Sequence, residues 1–181
     1  MPGAELLNLD ALDGRIGEGW GGVGVNGTHL NVVLARRGGP TAAAAVSMLA
    51  HPSPGHTPVL VCVGPDQQSY EPVFPPTLMM NKATAVNEHH ETITWGAAQL
   101  GIAQGVLDAV ADGLVEATQD LVVLVAVWVA AAADDETAVR LAAREAMRKA
   151  IGMCVEGRPE AAVQRLVDER DSLASPFYGG D

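Results

Sequence analysis

The sequence predicts an α/β fold arranged as a two-layer sandwich, and three observations support this prediction. Short apolar runs rich in valine, leucine and isoleucine alternate along the chain with longer segments of helical composition. Proline and glycine mark the borders between these segments. The chain has 181 residues, a length that suits one domain with room for a substantial core.

The first half of the chain is predicted to contain three strands and one helix. Residues 1–28 are rich in glycine, so we expect an N-terminal extension and loop, forming a flexible flap, ahead of a single domain at residues 29–181. Pro40 suits the first turn of a helix, where its missing N–H costs no hydrogen bond. The predicted strands are 30–35, 58–63 and 78–86, the predicted helix is 40–50, and a proline-rich loop covers 64–76.

The second half of the chain is predicted to be mainly helical around one buried strand. Thr92 and Gly113 suit the two ends of a helix over residues 92–112. Residues 121–133 form an apolar run of 13 residues, which is too short to cross a bilayer and predicts a buried strand over 121–129. The remaining predicted helices cover 136–155, with its charged residues on one side, and about 159–170.

The charge of the chain excludes several classes of partner. Its formal net charge is −11 and its isoelectric point is near 4.7, so a basic face for a phosphate backbone or an anionic membrane is not expected. The N-terminus has neither the basic region nor the long apolar region of a secretory signal. We therefore predict a cytoplasmic protein that binds a small molecule and neither nucleic acid nor membrane.

The cysteines, the paired histidines and the glycines do not match a metal or nucleotide motif. Cys62 and Cys154 lack the spacing of a metal knuckle and are predicted to be reduced thiols in the core. His89 and His90 are adjacent and would point apart, so we expect a solvated helix start and no metal site there. The Gly17-x-Gly19 pattern has no strand before it and no helix directly after it, as a nucleotide-binding loop requires.

Two polar pairs carry the chemistry that the sequence offers. In a strand, alternate side chains share a face, so His29 and Asn31 are expected to point the same way from an otherwise apolar element. Lys82 and Thr84 have the same spacing in the next candidate strand. From spacing alone His29 is either a hydrogen-bonded structural residue or a catalytic one, and Lys82 is either a solvated edge residue or part of the same site.

The chain resembles a known family along residues 16–177. The landmarks are Ile16-Gly17-Glu18-Gly19, His29-Leu30-Asn31, Gly55-His56-Thr57-Pro58-Val59-Leu60, Asn81-Lys82-Ala83-Thr84, Gly96-Ala97-Ala98-Gln99, 108–113 and Ser175-Pro176-Phe177. In their order and spacing they resemble the formaldehyde-activating enzyme family, also named 5,6,7,8-tetrahydromethanopterin hydro-lyase.

The resemblance implies a fold, an assembly and a reaction. The fold would be the ribosomal-protein S5 domain 2-like type, in a ring-like homopentamer with sites between subunits. The reaction would condense formaldehyde with a reduced pterin, such as tetrahydromethanopterin, to a methylene adduct and water, with the pterin as co-substrate and no tightly bound cofactor. By this resemblance His29 is the general acid/base, and Leu60, Lys82, Thr84 and Gln99 are the pterin-binding residues. We add Asn31 to the expected substrate-binding residues, because it shares a strand face with His29.

The reaction needs a proton donor because the carbinolamine formed from an amine and formaldehyde must lose hydroxide, and a histidine suits that task. The chain also departs from the family. Asn31 stands where the family motif has a carboxylate, and the loops at 20–26 and 66–76 are longer. Two alternatives therefore stay open: an enzyme of the same fold acting on a different amine or aldehyde in specialised metabolism, and a non-catalytic protein that binds a pterin or a formaldehyde adduct.

Overall fold

A mixed sheet of five strands forms the centre of the protein, in a computed structural model that describes residues 8–176. In chain order the strands are β1 (Ile16–Gly21), β2 (Thr28–Arg36), β3 (Val59–Leu60), β4 (Cys62–Val63), β5 (Glu71–Pro72), β6 (Thr77–Asn81) and β7 (Leu121–Val129). The sheet has the order β1-β2-β7-β6-β3, in which only the β6–β7 pair is parallel. The short strands β4 and β5 pair separately as a ribbon.

The two longest helices cover one face of this sheet. The helices are α1 (Leu9–Leu12), α2 (Pro40–Ala50), α3 (Glu88–Thr92), α4 (Gln99–Ala111), α5 (Glu136–Glu156) and α6 (Glu160–Asp168), and a π-helical segment, Ile93–Ala98, joins α3 to α4. Helix α5 packs on β1 and β2, and α4 packs beside α5. The α/β prediction is confirmed. Within residues 8–176 no helix is long and apolar enough to cross a membrane.

The alternation of side chains in β2 separates the two faces of the sheet. Leu30, Val32 and Leu34 are fully buried against the helices, where they join the core. His29 and Asn31 lie on the opposite face and are half-buried. The predicted shared face of His29 and Asn31 is therefore confirmed. Helix α2 covers only one end of that face, near Leu78 and Val122, and leaves the end that holds His29 open.

The prediction of an irregular loop over residues 1–28 is wrong for much of the described part. Strand β1 pairs with β2 over its whole length, and α1 precedes it. Turn geometry is confined to the connection before β1, where Gly14 has a positive φ angle, and the connection after it, where Gly22 and Gly24 do. Even the connection after β1 is tied down, because the Asn26 side-chain oxygen accepts a hydrogen bond from the backbone N–H of Asp134 (3.0 Å). Residues 1–7 and 177–181, which include Phe177, lie outside the described residues.

The glycines of β1 allow the strand to approach helix α5 closely. Gly17, Gly19 and Gly21 share the buried face of the strand, and the side chains between them point to the open face. A Cβ atom added at any of the three would overlap a backbone carbonyl oxygen of α5, at Ala150, Ala146 and Ala142 respectively. The glycines therefore bring strand and helix into backbone contact rather than making the segment flexible.

The predicted strand over 78–86 ends early, at Asn81. The Asn81 amide donates hydrogen bonds to the backbone carbonyls of Gly55 (2.9 Å) and Ala83 (2.8 Å), and these bonds hold the following residues in a turn. Lys82 and Thr84 consequently lie in this turn and do not share a strand face. The predicted strand 58–63 also differs, because Val59–Leu60 pairs with β6 whereas Cys62–Val63 pairs with β5.

A ladder of polar side chains fixes the register of α4 against α5. The Arg144 guanidinium donates to both carboxylate oxygens of Asp108, with one bond at 2.7 Å, and holds the pKa of that carboxyl below its usual range. One turn away in each direction, the guanidiniums of Arg140 and Arg148 contact Gln104 (2.8 Å) and Asp112 (2.6 Å). The charged side of α5 is thus partnered with α4, and the register places Gln99 at the start of α4.

Candidate active site

His29 lies between an acidic and a basic side chain on the open face of the sheet. Its Nε2 atom is 3.0 Å from Oε2 of Glu18, and its Nδ1 atom is 2.9 Å from Nζ of Lys82. The His29 side chain is 32% exposed, so it is held by its neighbours and still reachable from solvent. Two of the predicted functional residues, His29 and Lys82, are therefore in direct contact.

Three strands bring these groups together at one end of the sheet. In the antiparallel pairing, His29 lies opposite Trp20 of β1 on one side and opposite Trp128 of β7 on the other. Lys82 follows the last residue of β6, and its backbone N–H donates to the carbonyl of Val127 (2.7 Å), which extends the β6–β7 ladder by one bond. Lys82 therefore reaches His29 across the intervening strand β7.

The two contacts of His29 define how its ring can share a proton. A carboxylate only accepts hydrogen bonds, so the Nε2–H of His29 donates to ionised Glu18. In the neutral ring Nδ1 is then an acceptor, and it takes an N–H from Lys82. When Lys82 gives up that proton, the positive charge on the imidazolium is stabilised by Glu18. The three side chains form a chain along which one proton can move.

Burial changes the acid–base behaviour of Lys82. Loss of hydration lowers the pKa of the Lys82 ammonium below its usual range, and the negative charge of Glu18 opposes part of that shift. The fraction of free amine at neutral pH is accordingly larger than for an ordinary surface lysine. The free amine accepts a proton and is a nucleophile, whereas the ammonium donates a proton.

A small apolar cavity adjoins these groups. It has a volume of about 210 Å³ and is lined by Trp20, His29, Lys82 and Trp128. The Trp20 ring lies 5.7 Å from the His29 ring and 5.8 Å from the Trp128 ring, measured between centroids. Pockets for drug-sized molecules are larger, about 300–1,000 Å³. This cavity matches a very small reactant beside a proton donor and a lysine.

The structure places the other predicted residues elsewhere. Thr84 lines a different cavity of about 460 Å³ near Gly55, and Leu60 lines one of about 420 Å³ under α2. Gln99 is buried and donates through its side-chain nitrogen to the Cys62 carbonyl and the Tyr70 hydroxyl, both at 3.1 Å, beside a cavity of about 430 Å³. Within one chain, five of the six predicted residues thus border four different cavities, and Asn31 lies on the same sheet face as His29.

Comparison with known proteins decides the family. The family model described as formaldehyde-activating enzyme (Fae) matches residues 16–178. The chain belongs to the formaldehyde-activating enzyme family. The 5,6,7,8-tetrahydromethanopterin hydro-lyase of Methanosarcina barkeri is 36% identical over 178 residues, which cover 96% of this chain and 97% of that protein.

Longer relatives contain this family's domain as one part. A bifunctional enzyme Fae/Hps of Methanothrix thermoacetophila is 30% identical over 83% of this chain and 38% of its own length. The bifunctional enzyme Fae/Hps of Methanosarcina acetivorans is 29% identical over 91% of this chain and 41% of its own length. This chain therefore spans about two fifths of the length of these bifunctional proteins.

Glu18 is the contact of His29 that the sequence reasoning missed in this member of the formaldehyde-activating enzyme family. Asn31 stands two residues after His29, where the family motif has a carboxylate. A carboxylate still contacts His29, but it is that of Glu18 on the neighbouring strand. The alternation of glycine with larger residues over Ile16–Gly21 has the period of a strand and was the signal for β1. Reading it as a strand would have placed Glu18 on the open face.

The prediction of a solvated helix start is wrong for His90. This histidine has a structural role. It is 4% exposed; its Nε2 donates to the Val129 carbonyl (3.0 Å), and its Nδ1 accepts a hydrogen bond from the N–H of Val86 (3.3 Å). These bonds tie α3 and the Lys82–Val86 turn to the end of β7.

Both cysteines are free, as predicted; Cys154 is buried, and burial raises the pKa of its thiol to about 12. Within residues 8–176 no group of three or more His, Cys, Asp or Glu side chains is arranged to hold a metal ion.

Proposed function

We propose that this protein, a formaldehyde-activating enzyme, condenses formaldehyde with tetrahydromethanopterin or a closely similar reduced pterin, with His29 as the general acid/base. The observation that carries the proposal is the contact of His29 with Glu18 and Lys82 beside a cavity of a size suited to formaldehyde. The relative from Methanosarcina barkeri is named for tetrahydromethanopterin, which supports that pterin as the co-substrate. The two alternatives, a changed amine or aldehyde and a silent binding protein, are not favoured by these matches.

The proposed acid step uses the proton that the three side chains share. Addition of an amine to formaldehyde gives a carbinolamine, whose hydroxyl leaves only when it is protonated. The imidazolium of His29 supplies this proton, and the carboxylate of Glu18 stabilises the imidazolium before transfer. The tryptophan rings make the surroundings of both interactions less polar, which strengthens them.

We propose that the complete site lies between two copies of the chain, in a ring-like homopentamer. The cavity at His29 is lined by Lys82, but Asn31, Leu60, Thr84 and Gln99, the other proposed pterin-binding residues, do not line it. A second copy placed against the open face would cover exposed apolar side chains, including Ile16 at 69% and Leu60 at 44% exposure. It would also bring its own binding residues toward the first copy's His29.

Four further assignments complete the proposal. A cytoplasmic location and the absence of a nucleic-acid partner are supported by the acidic charge. The reaction itself needs no tightly bound cofactor, because the pterin enters and leaves as a substrate. We also assign the chain to the ribosomal-protein S5 domain 2-like fold, supported by the mixed sheet with its main helices on one face.

Subunit complementation tests the function and the shared site together. His29→Ala and Gln99→Ala subunits should each form inactive oligomers when alone. If each site takes His29 from one subunit and Gln99 from the neighbouring subunit, about a quarter of the sites in a randomly reassembled equal mixture contain both residues, because each position in the ring is filled independently. Dissociation and reassembly of such a mixture should therefore restore about a quarter of the wild-type rate. The rate measured is formation of methylene-tetrahydromethanopterin, corrected for the uncatalysed reaction.

Sedimentation of each sample gives the control, since both variants and the mixture should have the wild-type mass. A folded monomer at micromolar concentration, or a mixture no faster than its components, would contradict the shared site. A wild-type protein that does not accelerate the reaction would contradict the function itself.

Replacing Glu18 separates its role from that of Asn31. Glu18→Gln should lower kcat by about 10–100-fold, the range found when a partner that orients a functional histidine is removed. KM should change little, because the carboxylate contacts His29 and not the pterin. Asn31→Asp should leave the rate flat, because Glu18 already supplies the carboxylate and lies directly opposite residue 31, where a second negative charge is unfavourable.

Steady-state kinetics with tetrahydromethanopterin and with tetrahydrofolate measure both variants. Unfolding curves show whether each variant keeps the wild-type stability. A gain of an order of magnitude in Asn31→Asp would show that the carboxylate belongs at position 31. An unchanged kcat in Glu18→Gln would show that Glu18 is dispensable.

A further inference from the structure

We infer that Lys82 captures formaldehyde covalently, as a methylene iminium on Nζ, and passes the carbon to the amine of the pterin. The inference deepens the proposed function and rests on it. It starts from the position of Lys82, whose side chain lines the small cavity and whose Nζ lies 2.9 Å from Nδ1 of His29. Formaldehyde bound in this cavity is next to a primary amine before any pterin is present.

His29 is placed to carry the proton through both halves of the capture. Its Nδ1 accepts the proton of the Lys82 ammonium, which leaves a free amine and an imidazolium whose Nε2–H faces Glu18. The amine lone pair forms a C–N bond to formaldehyde, and a proton shift gives the carbinolamine. The imidazolium then returns its proton to the carbinolamine hydroxyl, the C–O bond breaks, and water leaves.

Transfer of the carbon regenerates the lysine. A pterin nitrogen attacks the methylene carbon of the Lys82 iminium, its proton moves to Nζ, and the C–Nζ bond breaks to leave the carbon as an iminium on the pterin. A second pterin nitrogen closes the methylene bridge and releases a proton, which restores the Lys82 ammonium. The sum is one formaldehyde and one pterin giving one methylene adduct and one water, with no oxidant or reductant.

Burial supports this role by making Lys82 a better nucleophile at neutral pH. The lowered pKa of its ammonium raises the fraction of free amine, and each unit of such a shift is worth about tenfold in that fraction. The apolar walls also slow the return of water to the iminium.

The chain contains a matched internal control. Its sequence has two lysines, Lys82 and Lys149. Lys149 lies on α5, is 54% exposed, and donates to the Glu145 carboxylate (2.7 Å) and the Trp20 carbonyl (3.0 Å). Both lysines are exposed to the same formaldehyde concentration, so a difference in their rates of methylation reports a difference in their surroundings.

Reductive trapping tests the inference. The full-length protein is treated with formaldehyde and sodium cyanoborohydride at neutral pH, and methylation of each lysine is followed by peptide mass spectrometry. Lys82 should be methylated at least about tenfold faster than Lys149. Tetrahydromethanopterin should suppress methylation at Lys82 alone, because it removes the carbon. His29→Ala should slow methylation at Lys82 and leave Lys149 unchanged.

Two variants connect trapping to turnover. Lys82→Arg keeps the positive charge and a donor toward His29 but has no nucleophilic amine, so it should lose at least about a hundredfold in rate. Lys149→Arg should keep the wild-type rate. Equal methylation of the two lysines, or a Lys82→Arg protein with the wild-type rate, would overturn the covalent step. The wild-type condensation rate, measured separately, distinguishes failure of this step from failure of the proposed function.

Discussion

Replacing His29 with alanine should lower the enzymic rate of methylene-tetrahydromethanopterin formation by about 10²–10⁴-fold, the usual contribution of a general acid–base group. The substitution removes the acceptor for the Lys82 proton and the donor for the leaving hydroxyl at the same time. It leaves Glu18 and Lys82 without their shared partner, but all three lie on the open face and outside the core. The fold should therefore survive.

The measurement needs the uncatalysed rate to be subtracted, because formaldehyde adds to amines without an enzyme. His89→Ala is a suitable control, since His89 is exposed on α3, away from the β2 strand that carries His29. It should keep the wild-type rate. If the His29→Ala protein is folded and retains the wild-type rate, the acid/base role belongs to another group.

The sequence predicted the alternation of β2 correctly because that signal is local. Burial alternates strictly between the two faces over residues 28–34, and the side chains of residues 29–32 alternate between polar and apolar in step with it. The same reasoning placed His29 on the open face with Asn31. It could not place Glu18 beside His29, because that contact depends on the pairing of β1 with β2 and on β1 being a strand at all.

The glycine-rich segment shows where local reasoning fails. Glycine usually indicates a turn or a flexible loop, and residues 16–21 were interpreted in that way. In the folded protein the buried face of these residues carries no side chains, and α5 packs directly against the strand backbone. The backbone of Ala146 occupies the space that a side chain at position 19 would need. A requirement set by a helix more than a hundred residues away is not visible in the strand's own composition.

The grouping of the site residues was the part least accessible from sequence. Lys82 was expected on a strand with Thr84, but the Asn81 side chain ends that strand and turns the chain. This turn sends Lys82 toward His29 and Thr84 toward Gly55. Spacing along the chain therefore paired Lys82 with Thr84, whereas the hydrogen bonds of one asparagine separate these two residues.

Replacing Gly19 with alanine should lower the free energy of unfolding by about 3 kcal/mol, at the upper end of the usual cost of overpacking a core. The added methyl group would overlap the Ala146 carbonyl, which is helix backbone and cannot move aside as a flexible side chain would. Relief requires β1 and α5 to separate, which also loosens the strand that carries Glu18 and Trp20. Thermal unfolding at fixed protein concentration should show a melting temperature lower by roughly 6–12 °C.

Gly152→Ala in helix α5 is the matched control for this substitution. Its added methyl group meets no atom within 4 Å, and the exchange of glycine for alanine inside a helix should raise stability by about 0.5–1 kcal/mol. The same chemical change should thus act in opposite directions at the two positions. If Gly19→Ala were as stable as the wild type, the strand and helix could separate without cost, and close backbone packing would not explain the glycines of β1.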